Sequence, residues 1–333
     1  MCFVQNSLDI PVQTSALIIR STCKINSELL DRLPQLKVIT TCTSGFDHID
    51  LQATQQKQVV VMYTPEANAA SAAEHTWGLV LNCARNICEA NQHIHAGKWT
   101  RDSFLGLELE NKTYGIIGLG RIGSRVARIA GGFGMNVIGF DPFQDEQHFE
   151  RAQVTRVSLE EALKCSDVIS LHVPNSPSTF RMMNHSTFEY MNRGAILINT
   201  SRGEVIFEEA LIKALHEGWL GSVGLDVFEK EPLPNQSKLL HYKNVIMTPH
   251  LGSMTEEAFR KSSLLGVDRT INFLETGTVT DQLPPLDAWY GAPCAKGFFL
   301  STLSELWEDK ACLEQLSLVH NGVMRAKVKS SMY

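Results

Sequence analysis

The eight cysteines of the chain stand scattered at positions 2, 23, 42, 83, 88, 165, 294 and 312, without a single Cys-x-x-Cys pair. That spacing argues against zinc ribbons and dithiol redox motifs and leaves buried free thiols as the expectation. His93 and His95 are two apart, which on a helix points them to different faces, so no metal site is expected. No stretch approaches the ~18 continuous apolar residues of a membrane span. The N-terminus, Met1-Cys2-Phe3-Val4-Gln5-Asn6, has no basic segment leading into an apolar one. A cytoplasmic location with no membrane partner is therefore expected. Positive charge is not in excess either: 30 Lys and Arg against 36 Asp and Glu give a formal charge of −6. Without a broad basic footprint, nucleic acid is not an expected partner.

What is present is an ordinary globular composition, 44% hydrophobic and 20% charged over 333 residues. That length exceeds the usual ~100 to 200 residues of one domain, so two domains are expected. Short apolar runs at residues 16–19, 36–40 and 59–63 read as buried strands with helices between them. Residues 69–96 then read as one long helix, with Leu79, Cys83 and Ile87 four apart on one face.

A second strand series follows at residues 113–117, 136–140, 168–173, 195–199, 222–226 and 245–247, with helices at 123–130, 158–164 and 208–217. Parallel strands need crossover helices, so this alternation predicts a doubly wound α/β domain. A further helix is expected over residues 255–275. The stretch 301–318 is helix-like, and no role is assigned to residues 282–333.

Gly118-Leu119-Gly120-Arg121-Ile122-Gly123 follows an apolar strand and opens a helix whose inner face reads Ile122, Val126, Ile129 and Ala130. In such a motif the first glycine permits a tight turn, the second lets backbone approach a pyrophosphate, and the third packs helix on strand. The helix N-terminus faces the anion. The next strand ends at Asp141, 18 residues after Gly123, close to the ~20 expected of a carboxylate that binds ribose hydroxyls. A carboxylate there repels a 2′-phosphate, so NAD is expected rather than NADP.

Three later strand ends carry polar residues where open α/β sheets bind ligands. Thr200-Ser201-Arg202-Gly203 offers a guanidinium suited to a planar carboxylate. Val227-Phe228-Glu229-Lys230-Glu231-Pro232 and Thr248-Pro249-His250-Leu251-Gly252-Ser253 bring a Glu and a His to the same sheet edge. A carboxylate beside an imidazole favours its protonated form, as reduction of a carbonyl requires. By itself, His250 is equally a structural histidine.

Together with Ser44-Gly45-Phe46-Asp47-His48-Ile49-Asp50 and residues 68–75, which end Ala73-Glu74-His75, these motifs resemble the D-2-hydroxyacid dehydrogenase family over residues 16–280. The resemblance implies two doubly wound parallel-sheet α/β domains: a flavodoxin-like substrate domain and a Rossmann NAD-binding domain. It divides the chain at residues 1–75 for the first substrate segment, 76–254 for the NAD-binding domain, and 255–333 for a return helix and tail packing on the substrate domain. It makes Arg202, Glu231 and His250 the catalytic trio, with His250 as acid and base. It puts Gly118, Gly120, Arg121, Ile122, Gly123 and Asp141 on NAD, Val173 beside the adenosine, Thr200 and Ser201 near the nicotinamide ribose, and Asp226 on the carboxamide. Arg202, His250, Gly252 and Ser253 also face the cofactor. Substrate would meet Arg202, the backbone amides of Ser44 and Gly45, and Arg20 and Ser21, whose string is similar to one that binds phosphate in phosphoglycerate dehydrogenases; an ordinary salt-bridged surface arginine is the equal alternative for Arg20. A homodimer is implied, with a small 2-hydroxy or 2-oxo acid as the partner molecule.

Family members carry a full strand and helix before the segment at Ala16, where this chain has fifteen residues; a βα unit needs ~20. Two expectations stay open for the substrate domain, that it lacks its first strand and helix or that it begins at a downstream start, and no serine-feedback domain is expected after residue 281. The activity expected is oxidation of D-3-phosphoglycerate to 3-phosphohydroxypyruvate, within serine biosynthesis. Glyoxylate or hydroxypyruvate reduction is the alternative enzyme reading, and an NAD-sensing corepressor of the C-terminal-binding-protein type is the alternative of another class.

Overall fold

The computed structural model describes residues 9–285. Within them the chain forms two units, residues 9–69 with 253–285 and residues 70–252.

In the first unit, β1 (Ala16–Ile19), β2 (Val38–Thr41) and β3 (Val60–Tyr63) alternate with helices α1 (Ser27–Arg32) and α2 (Leu51–Gln56). Asn26 and Asp50 start the two helices by accepting the N–H groups of Leu29 and Ala53, each at 2.9 Å. The three strands pair in parallel in simple sequence order, as strands 3-4-5 do in the flavodoxin-like order 2-1-3-4-5. A short β11 (Gln282–Leu283) adds antiparallel to β3. Leu29, Leu30, Leu33, Ile39 and Val61 form one core. On β1 and β2 lies the return helix α10 (Glu256–Thr276). Gly266 lets it approach: a Cβ there would stand 2.5 Å from Cys42 Sγ.

Residues 70–252 hold a seven-stranded parallel sheet. Its strands are β4 (Thr113–Ile117), β5 (Asn136–Phe140), β6 (Thr155–Arg156), β7 (Val168–Leu171), β8 (Ala195–Asn199), β9 (Leu220–Leu225) and β10 (Val245–Met247). Their order is β10-β9-β8-β7-β4-β5-β6. Read from β6, this is the Rossmann order 3-2-1-4-5-6 with one strand added, and the direction of winding switches between β4 and β7. The two-residue edge strand β6 was not anticipated from the sequence.

Alternation along the strands feeds two separate cores. Tyr114, Ile116, Ile196 and Ile198 face a cluster containing Trp77 from α3 (Ala69–Arg85), Val126 from α5 (Gly123–Gly132) and Phe149 from α6 (Glu146–Ala152). Ile117, Ala195 and Leu197 face the opposite cluster, built on Leu159 of α7 (Leu159–Cys165), Phe188 of α8 (His185–Tyr190) and Leu211 of α9 (Glu208–His216).

The single helix expected over residues 69–96 is instead two, α3 and α4 (Ile87–His95). Between them Asn86 adopts φ 54°, a left-handed conformation that asparagine tolerates better than most residues. The Asn82 side chain takes over the Cys88 N–H at 2.9 Å. The turn removes Ile87 from the face it was expected to share: Leu79 and Cys83 are buried, whereas Ile87 is 52% exposed. On α5, Val126 and Ala130 are fully buried, while Ile122 and Ile129 pack at the margin. The helix-like stretch 301–318 lies outside the described residues. Among the described residues no helix is long and apolar enough to cross a membrane.

Candidate active site

The glycine turn, the Arg202 turn, the Glu231 loop and the His250 turn all fall at the carboxyl ends of the parallel strands, whereas Ala73-Glu74-His75 lies in α3. The glycine turn follows β4 at the switch point, where the Gly118 N–H donates to Phe140 O at 2.9 Å and the His172 N–H to Ile117 O at 2.7 Å. Gly118 has φ +93°, and a Cβ on it would lie 2.7 Å from His172 O and 2.9 Å from Val173 Cγ1. A Cβ on Gly123 would stand 2.0 Å from Gly118 O, so these two positions have no room for a side chain. Gly120 is different, with nothing within 4 Å of where its Cβ would be. Open backbone at the second glycine, beside the N-terminus of α5, fits a pyrophosphate.

Asp141, after β5, accepts the Leu119 N–H on one oxygen at 2.8 Å and the Phe143 N–H on the other at 2.9 Å. It therefore ties the glycine turn to the end of β5, and each oxygen keeps acceptor capacity for a hydroxyl. His148 on α6 adds a second tie, its Nε2 2.7 Å from Leu119 O and 3.2 Å from Ser124 Oγ.

After β9, Asp226 is 1% exposed. Its Oδ1 receives Thr248 Oγ1 at 2.6 Å and the Leu251 N–H at 2.7 Å, with His75 Nε2 at 3.2 Å, and its Oδ2 receives the Gly252 N–H at 2.8 Å. Burial pushes this carboxyl up, but the hydrogen bonds from His75, Thr248, Leu251 and Gly252 more than offset it and hold it below its ordinary value. The backbone carbonyl of Asp226 also accepts the His250 N–H at 2.9 Å. One residue thus gathers the whole 248–252 turn, in which His250 sits at φ +56°.

On that turn His250 Nδ1 lies 2.8 Å from Glu231 Oε2. The hydrogen bond to Glu231 raises His250 above its usual value, burial opposes it, and the Glu231 charge adds to the rise, with Arg202 opposing and Asp226 reinforcing. In Glu231, burial works upward, but the His250 hydrogen bond and charge, the Phe228 N–H and Arg202 hold the carboxyl below its usual range. Arg202 follows β8 on a turn shaped by Asn199, whose Oδ1 accepts the Ser201 N–H at 3.0 Å and whose Nδ2 donates to Arg202 O at 2.9 Å. Gly203 lets this turn meet the next loop: a Cβ there would stand 1.9 Å from the Phe228 carbonyl. Thr200 Oγ1 is 2.8 Å from Thr76 Oγ1.

In the other unit, Ser44 Oγ bonds to Asn68 Oδ1, and Thr43 Oγ1 donates to Gly45 O at 2.7 Å. Among the described residues the N–H groups of Ser44 and Gly45 donate to no protein acceptor. Arg20 is engaged in packing: Nη1 donates to Ser262 Oγ at 3.1 Å, and the guanidinium lies 4.3 Å from the Phe259 ring centroid. Ser21 is exposed, and Ser253 opens the return segment to this unit.

Residues 77–252 match the family description "D-isomer specific 2-hydroxyacid dehydrogenase, NAD binding domain". The chain belongs to this family. It is 43% identical to a D-3-phosphoglycerate dehydrogenase of Methanocaldococcus jannaschii, over 73% of this chain and 46% of that protein. It is 38% identical to a glyoxylate reductase of Thermococcus litoralis, over 84% of this chain and 86% of the relative. A crystal structure of D-lactate dehydrogenase from Aquifex aeolicus, complexed with NAD and lactic acid, superposes with a TM-score of 0.73 at 33% identity, covering 80% of this chain and 86% of the other. The chain spans about half the length of the phosphoglycerate dehydrogenases it matches.

Within residues 70–252, side chains outside the trio read from the sequence shape the site: His75, Thr248 and Asn199 for the turns, and His148 for the glycine loop. His75 stood in a family motif, yet 151 positions separate it from Asp226, and no spacing rule joins them.

Proposed function

We propose that the chain is an NAD-dependent D-2-hydroxyacid dehydrogenase in which His250 moves the proton and Arg202 clamps the substrate carboxylate. The observation that carries this is the 2.8 Å pairing of His250 Nδ1 with Glu231, on a turn that leaves the imidazole 49% exposed. With Nδ1–H donated to the carboxylate, Nε2 is the nitrogen left to exchange a proton with a 2-hydroxyl or a developing alkoxide. Glu231 fixes the ring and stabilises its protonated form. Bound NAD would supply the hydride-transfer chemistry at C2. Gly118, Gly120, Gly123 and Asp141 fit its pyrophosphate and adenosine ribose, and the Asp141 carboxylate favours NAD over NADP.

Arg202 supplies a planar donor pair suited to a carboxylate, and the unspent N–H groups of Ser44 and Gly45 suit the same chemistry. The substrate pair we favour is D-3-phosphoglycerate and 3-phosphohydroxypyruvate, supported by relatives of that name at 37 to 43% identity, with Arg20 as the phosphate contact. Glyoxylate is the second reading, supported by a relative matched over 86% of its length. A homodimer belongs to the reading, since Trp99 and Leu105 are 80% and 93% exposed and such apolar surface suits burial against a second copy.

NADH oxidation with 3-phosphohydroxypyruvate, hydroxypyruvate and glyoxylate, and NAD reduction with D-3-phosphoglycerate, tests the proposal. Preference for the phosphorylated pair supports the first reading and preference for glyoxylate the second. No turnover of any of them would overturn both.

A further inference from the structure

The loop at residues 227–232, which carries Glu231, belongs to no helix or strand, so side chains must hold it. Phe228 N–H donates to Glu231 Oε1 at 3.1 Å, which fixes the carboxylate relative to its own loop and not to the rest of the sheet edge. Two residues before Glu231, the Glu229 carboxylate provides the outside anchor. Its Oε1 accepts Arg181 Nη2 at 2.6 Å and Nε at 3.1 Å, and its Oε2 receives the Glu208 N–H at the start of α9 at 3.4 Å. α9 has no side-chain cap of its own, so Glu229 also provides an acceptor and a negative charge at a helix N-terminus.

Arg181 is itself firmly mounted. Its N–H donates to Glu204 O at 2.8 Å, and Met183 exchanges backbone hydrogen bonds with Val205 and Phe207 at 3.0 and 2.8 Å. The residue sits at φ +48°, a conformation costly for a long side chain. Its guanidinium lies over the Phe207 ring, 4.4 Å from the centroid. Ion pair and ring contact are mostly withdrawn from water, with Arg181 20% and Glu229 26% exposed. The segment 203–207 that receives Arg181 directly follows Arg202. The segment after Arg202 and the Glu231 loop are therefore both referenced to one residue, Arg181, the first through its backbone N–H and the Phe207 ring, the second through its guanidinium. Burial and the nearby Glu229 charge push the Glu208 carboxyl upward against the Ser237 hydroxyl, and the Glu229 carboxylate beside it is the one that Arg181 pairs.

We propose that Arg181 is a positioning residue for the dehydrogenase reaction: its pairing with Glu229 sets the 227–232 loop so that Glu231 meets His250. The proposal rests on the dehydrogenase reading and fails separately from it. In the full chain, Arg181→Gln is expected to lower kcat by roughly ten- to hundredfold, since displacing a catalytic group by about 1 Å costs that order of rate. NAD affinity, read by fluorescence titration, stays within about twofold, because the glycine turn is held by other contacts. The charged groups acting on His250 are Glu231, Arg202 and Asp226. A looser Glu231 lets His250 lose its proton more easily, so the pH at which reduction declines moves down.

Glu229→Gln is expected to repeat this pattern, the double variant to be no worse than either single one, and Arg181→Lys to recover part of the rate through its retained charge. Should Arg181→Gln fail to fold in a thermal melt, Glu229→Gln and Arg181→Lys carry the test. A rate loss with an unmoved pH profile, or single effects that add in the double variant, would overturn the proposal. If the unaltered chain turns over none of the acids, the dehydrogenase reading fails instead. A working parent with an intact Arg181→Gln rate refutes Arg181 alone.

Discussion

Two histidine–carboxylate pairs stand in the unit formed by residues 70–252, and they differ in depth. His75 and Asp226 are 22% and 1% exposed, whereas His250 and Glu231 are 49% and 38% exposed. The buried carboxylate spends its acceptors on two backbone N–H groups, a hydroxyl and an imidazole. Such a group organises chain, because any displacement strands several polar partners without water. The exposed pair makes fewer bonds and keeps one ring nitrogen for exchange. The same two functional groups thus form a clamp in one place and, in the proposed function, a proton carrier in the other. Solvent access and the number of competing donors decide which.

The comparison is most exposed to refutation at His250. His250→Ala should cut kcat by roughly 10²- to 10⁴-fold, the usual worth of general acid–base catalysis, while NAD still binds by fluorescence titration. Turnover near that of the parent would remove the proton-carrying role. Next in size, Asp226→Ala should cost about 3 kcal/mol of stability in urea unfolding, since it orphans several buried donors. A change within about 0.5 kcal/mol, typical of an incidental surface site, would refute the clamp.

Glu231→Gln should be smaller, near a tenfold loss in kcat, or about 1.4 kcal/mol. Its sign with pH is definite. Glu231 raises the His250 value, and reduction needs His250 protonated, so activity is lost as pH rises through that value. Removing the charge must therefore move this loss to lower pH. In the oxidative direction, which needs neutral His250, the rise of activity moves to lower pH as well. An unchanged profile would separate the pair chemically. The smallest effect is expected at His75→Ala, about 1 kcal/mol for a partly exposed hydrogen-bond donor, with the reductive profile unmoved. If His75→Ala shifted that profile as far as Glu231→Gln, the two pairs would not have distinct jobs.

Much of this was readable from the chain. The glycine turn, Asp141 and the strand series follow from local chemistry, because φ-permissive glycine and buried apolar runs carry their structural meaning with them. The trio was readable as residues at strand ends. Its pairing was not, since the partners lie 19 positions apart in His250 and Glu231 and meet through the order of strands. Residues 69–96 misled for a related reason. The apolar period continued through Ile87, yet Asn86 found a left-handed turn, with the Asn82 side chain caring for the next N–H. Periodicity describes a face and is silent about such local competition.

By itself, then, the sequence determined the alternation of strands and helices, the dinucleotide turn and the identity of the groups available for proton transfer. These depend on steric freedom, burial and intrinsic acidity, which individual residues carry. Only tertiary structure decided which of two carboxylates would clamp and which would stay near solvent, and that Arg181 would reach Glu229 across 48 positions. Burial and hydrogen-bond competition are properties of packing, and they arise only when segments distant in sequence share one sheet edge.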